Sequence, residues 1–334
     1  MGDFKKYYKI SILLYKLLEK SNYRFFFKLL IIILSMKVII KNLIKKNIKV
    51  CLCSPGKTEN KYVREFIQHY KKYNIDKIFI YDNNDINGEK FEDVINDYIK
   101  SDYVKVINFR GKKRAVIEMM NDCYQKYSNY YDWLIFFEID EYIYLKNYKN
   151  IKKFLNLSIF KNCQRIQLNW LFHTDNNQLY YDNRPLKKRF PETEVNKKFS
   201  NIGKMKQIKS IIRGHIPNIT INSIHTLVHS NDIKSCDGFG RIKKINGIWT
   251  DQPDYKYYYI DHYFGKSTEE FINKINKGDV KYGKDNILGR IGIYFRYSEI
   301  TKEKIDLIEK GTGLDLSEFR NKLKNKNNKK KKFN

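Results

Sequence analysis

The chain lacks the features that classify a sequence fastest. It has no CxxC pair, and its five cysteines (Cys51, Cys53, Cys123, Cys163 and Cys236) follow no repeated spacing. An odd count without a pattern argues against both a disulfide framework and a zinc site. Cys51 and Cys53, two apart on a predicted strand, read as core residues, and the redox compartment stays open. There is no internal repeat, which excludes a solenoid. There is no long clean apolar run either. Between Phe25 and Ile44 the apolar stretch is broken by Lys28, Ser35, Lys37, Lys41 and Asn42, leaving Leu29 to Leu34 as its longest uninterrupted part. A spanning helix wants about 20 predominantly apolar residues. The segment therefore reads either as a signal-anchor or as a membrane-surface or docking helix, with basic residues from Lys5 to Arg24 ahead of it. No small-residue cleavage site follows, so a cleavable signal peptide is not expected. Localisation stays open between membrane-associated, as a type II anchor in the secretory pathway, and cytoplasmic. Two sequons, at Asn156 and Asn218, matter only in a secretory lumen.

Positive charge is abundant, at a net +28, but it is mostly lysine spread along the chain, with no dense stripe before the C-terminal tail. Such charge speaks to solubility and non-specific attraction, so nucleic acid is not the expected partner. A basic surface suits an anionic ligand or an anionic membrane. Apolar residues make up 42% and aromatics 15%, enough for a sizeable core.

From Ile48 the pattern becomes regular. Ile48–Cys53 reads as a strand, broken by Ser54-Pro55-Gly56. Val63, Phe66, Ile67 and Tyr70 mark one face of a helix. Lys77–Tyr81 is a second strand, followed by the polar loop Asp82–Asp85 and a helix carrying Phe91, Val94, Ile95 and Tyr98. Val104–Phe109 is a third strand and Ala115–Tyr127 a third helix. Strands alternating with helices of this length imply an α/β fold with a mostly parallel sheet covered on both faces. Three regions follow: residues 1–46 as an N-terminal helical segment and candidate membrane anchor, 47–320 as the main domain, and 321–334 as a basic disordered tail.

The most informative stretch is Asp132–Tyr142. Its apolar run reads as a fourth, buried strand that ends in Glu138, Asp140 and Glu141. Acids at the C-terminal edge of such a strand stand in the crevice where open α/β sheets bind ligands. Glu138 and Asp140, two apart, point to one side of an extended backbone. Two hard oxygen ligands converging on one spot suit a divalent cation holding a phosphate. Further on, Gln164–Trp170, Lys209–Arg213, His225–His229 and Tyr255–Tyr263 read as strands, and Tyr180–Met205 as an irregular excursion. Ser267 with Glu270 forms a capping box that opens a helix running to Asn276. Short helices are expected near Lys302–Glu309 and Leu316–Leu323.

The order of these motifs resembles glycosyltransferase family 92 and the neighbouring family-2-like enzymes, over roughly Ile48 to Phe319. Six segments carry the resemblance: Lys57-Thr58-Glu59 after the first strand, Ile80-Tyr81-Asp82-Asn83, Asn121-Asp122-Cys123, Ile139-Asp140-Glu141-Tyr142, Lys209-Ser210-Ile211 with Arg213 and His225, and His262-Tyr263 with Lys266-Ser267 and Glu270-Phe271. The resemblance implies a GT-A (Rossmann-like) nucleotide-sugar transferase fold. It also implies a metal-dependent glycosyltransferase that moves a sugar from a nucleotide-sugar donor, a UDP-sugar first among them, to a glycan or other acceptor. Two departures stand out: Glu138 where the family shows the first Asp of Asp-x-Asp, and Val116 where relatives often carry Gln.

On this reading Asp140 and His262 hold Mn²⁺ or Mg²⁺, and Lys57, Glu59, Asp82, Glu138 and Asp140 frame the donor. Glu141 is expected to be a structural partner for a Lys or Arg. Trp170, with Phe172 and His173, is an aromatic cluster suited to an acceptor sugar ring. Asp237, in a glycine-flanked loop, is the candidate catalytic base, with Asp175 as rival. Two other classes remain at this stage: a metal-dependent nuclease or other phosphoryl-transfer enzyme, and an inactive GT-A-like binding protein.

Overall fold

A computed structural model describes residues 30, 33–35, 48–193, 207–228, 233–243, 254–278 and 286–331. The chain divides into two compact units, 1–47 and 48–334. Almost all of the expected N-terminal anchor lies outside the described residues, and among those described no helix is long and apolar enough to cross a membrane.

In the second unit the first half of the sheet follows the sequence pattern. Strands β1 (Val50–Gly56), β2 (Lys77–Asp82), β3 (Val104–Asn108) and β4 (Trp133–Phe136) alternate with helices α1 (Asn60–Lys72), α2 (Glu92–Lys100) and α3 (Val116–Tyr127). The four strands pair in parallel in the order β3-β2-β1-β4. β1 shows why the sheet is covered twice. Val50 and Leu52 join the apolar cluster beneath α1 and α2, while Cys51 and Cys53 join the one beneath α3. Alternation along one strand thus feeds two cores.

β1 also runs further than expected. Pro55 and Gly56 continue the pairing with Tyr81 and Asp82, whereas the pairing with β4 ends at Cys53. Pro55 therefore sits where one side of the strand is unpaired, the position in a sheet that tolerates a missing N–H.

The second half of the sheet reverses direction. β7 (Ile208–Arg213) lies antiparallel between β4 and β6 (Arg165–Phe172). β10 (Tyr258–His262) runs parallel to β6, and β5 (Glu141–Leu145) closes the edge antiparallel to β10. The short β8 (Ser235–Asp237) pairs with the first half of β6, and β9 (Ile242–Lys243) pairs with β8. Sequence patterning had missed β5, because it begins at the acids themselves. The expected strand at His225–His229 is instead a turn closed by the isolated bridge Ser223–Leu227, with 229 outside the described residues. Within the expected excursion, α4 (Ile151–Leu155) has already passed and only the short α5 (Leu186–Arg189) forms; 194–206 lie outside the described residues.

Helix α6 (Thr268–Asn276) carries both bonds of the expected capping box. It packs with α7 (Ile287–Tyr297), α8 (Lys302–Thr312) and α9 (Ser317–Lys331) around a third apolar cluster that includes Phe271, Tyr294, Ile305 and Phe319. The basic segment after residue 320 was expected to be disordered, but α9 continues through it to Lys331. Phe319 anchors its first turn.

The cysteine reading also needs correction. Cys53–Cys123 joins β1 to α3, and Cys163–Cys236 joins the approach to β6 to β8, leaving Cys51 as a buried free thiol. Partners 70 and 73 residues apart are brought together by the sheet, and no spacing rule would have paired them.

Candidate functional site

The carboxyl ends of β4, β6 and β10 meet at one edge of the sheet, and the first residue of β5 joins them. His262 is paired with both Glu141 and Phe172. The chain leaves β4 through a tight turn closed by the Glu141 N–H donating to the Glu138 carbonyl at 3.0 Å. The extended geometry expected for Glu138 and Asp140 is therefore replaced by a turn, and the two acids take different partners.

Glu138 Oε2 accepts from Lys209 Nζ at 3.0 Å. Lys209 comes from β7 and is fully buried, with Glu141 Oε1 3.1 Å away on its other side. The expectation that Glu141 has a basic partner is met by this lysine. Burial opposes ionisation of Glu138, but Lys209, aided by Lys274 and His262, outweighs burial and the repulsion from Asp140, leaving its pKa at about 2. Glu141 goes the other way: complete burial, reinforced by Glu138 and Asp140, lifts it well above the ordinary carboxyl range against the pull of Lys209. Glu138 and Glu141 share one buried cation here, and burial favours the protonated form of Glu141.

Asp140 is buried and faces two groups. Its Oδ2 accepts from Lys274 Nζ on α6 at 2.6 Å, and its Oδ1 lies 3.7 Å from His262 Nε2. Burial disfavours its ionisation, but Lys274 and His262 hold it well below the ordinary range. Burial lowers the His262 pKa from 6.5 despite Asp140, so the imidazole is neutral at pH 7. Its Nδ1 is buried without a hydrogen-bond partner. Trp170 stands over the His262 ring at 4.2 Å, Phe172 at 4.8 Å, and the Trp170 Nε1 is likewise unpartnered.

Ligand atoms of Asp140, Glu141 and His262 lie within 4.8 Å of one another. A carboxylate and a neutral imidazole, the latter with an orphaned second nitrogen, fit a divalent cation. The imidazole favours Mn²⁺ over Mg²⁺, which takes oxygen ligands. Glu141, whose ionisation is opposed by burial and which stands beside Lys209, is the weakest of the three donors.

The nearby loops place the remaining donor candidates. Glu59, at the start of α1, has Lys277 Nζ 2.9 Å from Oε1 and Lys266 Nζ 3.6 Å from Oε2. Lys57 pairs with Asp85 at 2.8 Å. Asp82 is buried with both oxygens engaged, by Arg110 Nη1 at 2.6 Å and by the Asn84 backbone and side chain at 2.9 and 2.7 Å. Arg110 also takes the carbonyls of Asp85, Gly88 and Glu89, so Asp82 organises this loop. Val116 packs into the apolar cluster beneath α3, a place where a Gln side chain would need polar partners.

Three expectations are not brought to the site. His173 lies on the opposite face of β6 from Phe172. It is bonded to Asp261 at 2.7 Å and to the Phe190 carbonyl at 2.6 Å, and stacked on Tyr263. Both its nitrogens are occupied, so of the expected aromatic cluster Trp170 and Phe172 stand beside the acids. Asp237 pairs with Gln167, five positions before Phe172 and so about 16 Å down the strand from the acids. Its carboxylate accepts from Phe239 N, Arg241 N and Arg241 Nε, which makes it a turn former. Asp175 is buried against Lys304 at 2.5 Å and the Tyr294 hydroxyl at 2.9 Å.

Sequence reasoning gave no site role to Lys209 and Lys266, which stand in the segments that carry the resemblance, and did not single out Lys274 and Lys277. Lys274 lies on the helix that the capping box announces and Lys277, three residues on, is its C-cap. In a chain with 65 Lys and Arg that spacing carried no signal.

The family model of glycosyltransferase family 92 matches residues 46–278. No curated protein matches the chain. Among solved structures, S. aureus TarS 1–349 in complex with UDP-GlcNAc is similar at 13% identity and a TM-score of 0.37, over 79% of this chain and 71% of that one. S. aureus TarS itself aligns at 14% identity and a TM-score of 0.34, over 79% of this chain and 49% of that one.

Proposed function

We propose, for a chain that belongs to glycosyltransferase family 92, a metal-dependent transfer of a sugar from a nucleoside-diphosphate donor to a hydroxyl acceptor. Family membership makes the protein a glycosyltransferase and displaces the nuclease and phosphoryl-transfer alternative. The observation that carries the finer reading is the pairing of Asp140 with His262 at the carboxyl edge of the sheet, 3.7 Å apart. Asp140 and His262 would hold the cation, which when bound neutralises charge growing on the departing diphosphate.

The other residues prepare that step. Lys209 fixes Glu138 and Glu141 from below, so the acidic turn keeps one shape. Glu59 orients Lys266 and Lys277 along the rim, where they add positive potential for a diphosphate. Arg110 and Asp82 stiffen the loop after β2, beside which a nucleoside would lie. Trp170 and Phe172 form the aromatic wall on the acceptor side. With Asp175 and Asp237 committed elsewhere, the part-exposed carboxylate of Glu138 is linked to this wall through Lys209, whose ammonium lies 5.4 Å from the Trp170 ring.

The test is a panel of nucleotide-sugars read by thermal shift with and without Mn²⁺. Stabilisation by a UDP compound that requires Mn²⁺ supports the reading. Stabilisation by oligonucleotides, with no response to any nucleotide-sugar, contradicts it.

A further inference from the structure

The crevice carries its own cations. Lys266 and Lys277 stand against Glu59, Lys274 against Asp140 and Lys57 against Asp85, each ammonium within 4.0 Å of a carboxylate oxygen. Two lysines touch the acidic turn, and they differ in kind. Lys209 is fully buried and clasped by two acids, which makes it a fixed part of the core. Among the described residues Lys274 is bound to one acid, Asp140. Its side chain is 18% exposed, and its second contact is the Phe264 carbonyl at 3.1 Å. Four flexible bonds connect that ammonium to α6, so it can swing without disturbing the helix.

Lys274 Nζ lies 2.6 Å from Asp140 Oδ2. A divalent cation on the same carboxylate would meet a like charge at contact distance. Metal and ammonium therefore compete for Asp140. A displaced Lys274 stays in a crevice already lined by Lys266 and Lys277, and a nucleoside diphosphate is the anion that such a cluster holds best.

We infer that Lys274 is an exchangeable counterion: it holds Asp140 while the crevice is empty, yields to the divalent cation, and then grips the diphosphate of the donor. This rests on the glycosyltransferase reading and adds a residue and an order of events to it. The exchange keeps Asp140 neutralised throughout, so the buried carboxylate is never left alone. It also couples the two ligands, because the diphosphate rewards the lysine that the metal has freed.

The experiment is a Mn²⁺ titration of the full chain without nucleotide, by electron paramagnetic resonance of the free ion, on wild type and Lys274→Met. UDP affinity is then measured at saturating Mn²⁺. Loss of the competing ammonium should tighten Mn²⁺ binding about fivefold, the scale of one partly exposed ion pair. UDP affinity should fall about tenfold, the scale of one charge-assisted contact. Lys274→Arg, which keeps the charge, should stay close to wild type in both. A wild type that binds Mn²⁺ only weakly beside a variant that binds it well is the extreme form of the expected result. Lys274→Gln gives the same reading should the methionine variant not fold. Mn²⁺ affinity no tighter in the neutral variants, or UDP affinity unchanged, overturns the inference. Mn²⁺-dependent UDP binding by the wild type would in that case leave the glycosyltransferase reading standing.

Discussion

Lys209 Nζ bridges two acids of one turn, 3.0 Å from Glu138 Oε2 and 3.1 Å from Glu141 Oε1. The bridge gives a physical account of the Glu138 departure. The extra methylene of Glu carries its carboxylate onto the lysine that β7 delivers. In Glu138→Asp the carboxylate would retract by roughly one C–C bond and leave Lys209 to Glu141 alone. The expected outcome is a loss of about 1–3 kcal/mol of stability, typical of a buried charged hydrogen bond, together with reduced turnover. Chemical denaturation and a transfer assay on the same preparation check it. Equal stability would mean that the turn re-forms around the shorter acid.

Removing the lysine should cost more. Lys209→Met leaves Glu138 and Glu141 facing each other without a cation, and breaking a buried pair in this way typically costs about 3–5 kcal/mol. Part of that should return in Lys209→Met/Glu138→Gln, where the unpaired charge is also gone. A double-mutant cycle by urea denaturation measures the coupling.

A second ion pair contributes to the behaviour in acid. Arg189 is buried against Glu270, which also accepts from the Tyr62 hydroxyl at 2.6 Å and from Ser267 Oγ at 2.5 Å. Burial raises the Glu270 pKa, but the bonds from Arg189, Ser267 and Tyr62 bring it below the ordinary 4.5. A carboxyl depressed in the folded state contributes stability that is complete above its unfolded pKa and fades as pH falls through the folded value. The melting temperature should therefore drop as the pH passes below about 4.5. Glu270→Gln should be less stable at neutral pH, by about 3 kcal/mol, and show a shallower acid limb. Parallel acid limbs would show that other carboxyls dominate.

The two acids once paired with catalysis should separate by their effects. Asp175→Asn should lower stability by about 3 kcal/mol, because it leaves Lys304 buried beside a neutral partner. Asp237→Ala should cost about 1 kcal/mol through its turn bonds. Neither should change kcat by more than about twofold per folded molecule. A loss of several hundredfold in either would return it to the chemistry.

What the sequence disclosed follows from the range of the interactions involved. Strands β1 to β4 and their helices were legible because local periodicity decides them, and the capping box of α6 because it is written in four residues. The acids at the end of β4 were visible for the same reason. Their partners were not. Lys209 and Lys274 reach the acidic turn from 71 and 134 residues away. Only the antiparallel insertion of β7 and the docking of α6 bring them there. His173 and Asp237 stand away from the acids because of face and height on a strand, which are set by register with β8 and β10 and are invisible until the sheet is assembled. The disulfide pairs were hidden for the same reason.

The most direct test of the central claim is UDP binding by titration calorimetry, with and without Mn²⁺, on wild type and Asp140→Asn. The variant keeps the shape of the side chain and removes the charge that a cation needs. The account predicts that Mn²⁺ tightens UDP binding at least about tenfold in the wild type, the scale of one charge-assisted contact, and has no effect in a variant that still melts cooperatively. Equal Mn²⁺-dependent tightening in Asp140→Asn would contradict it.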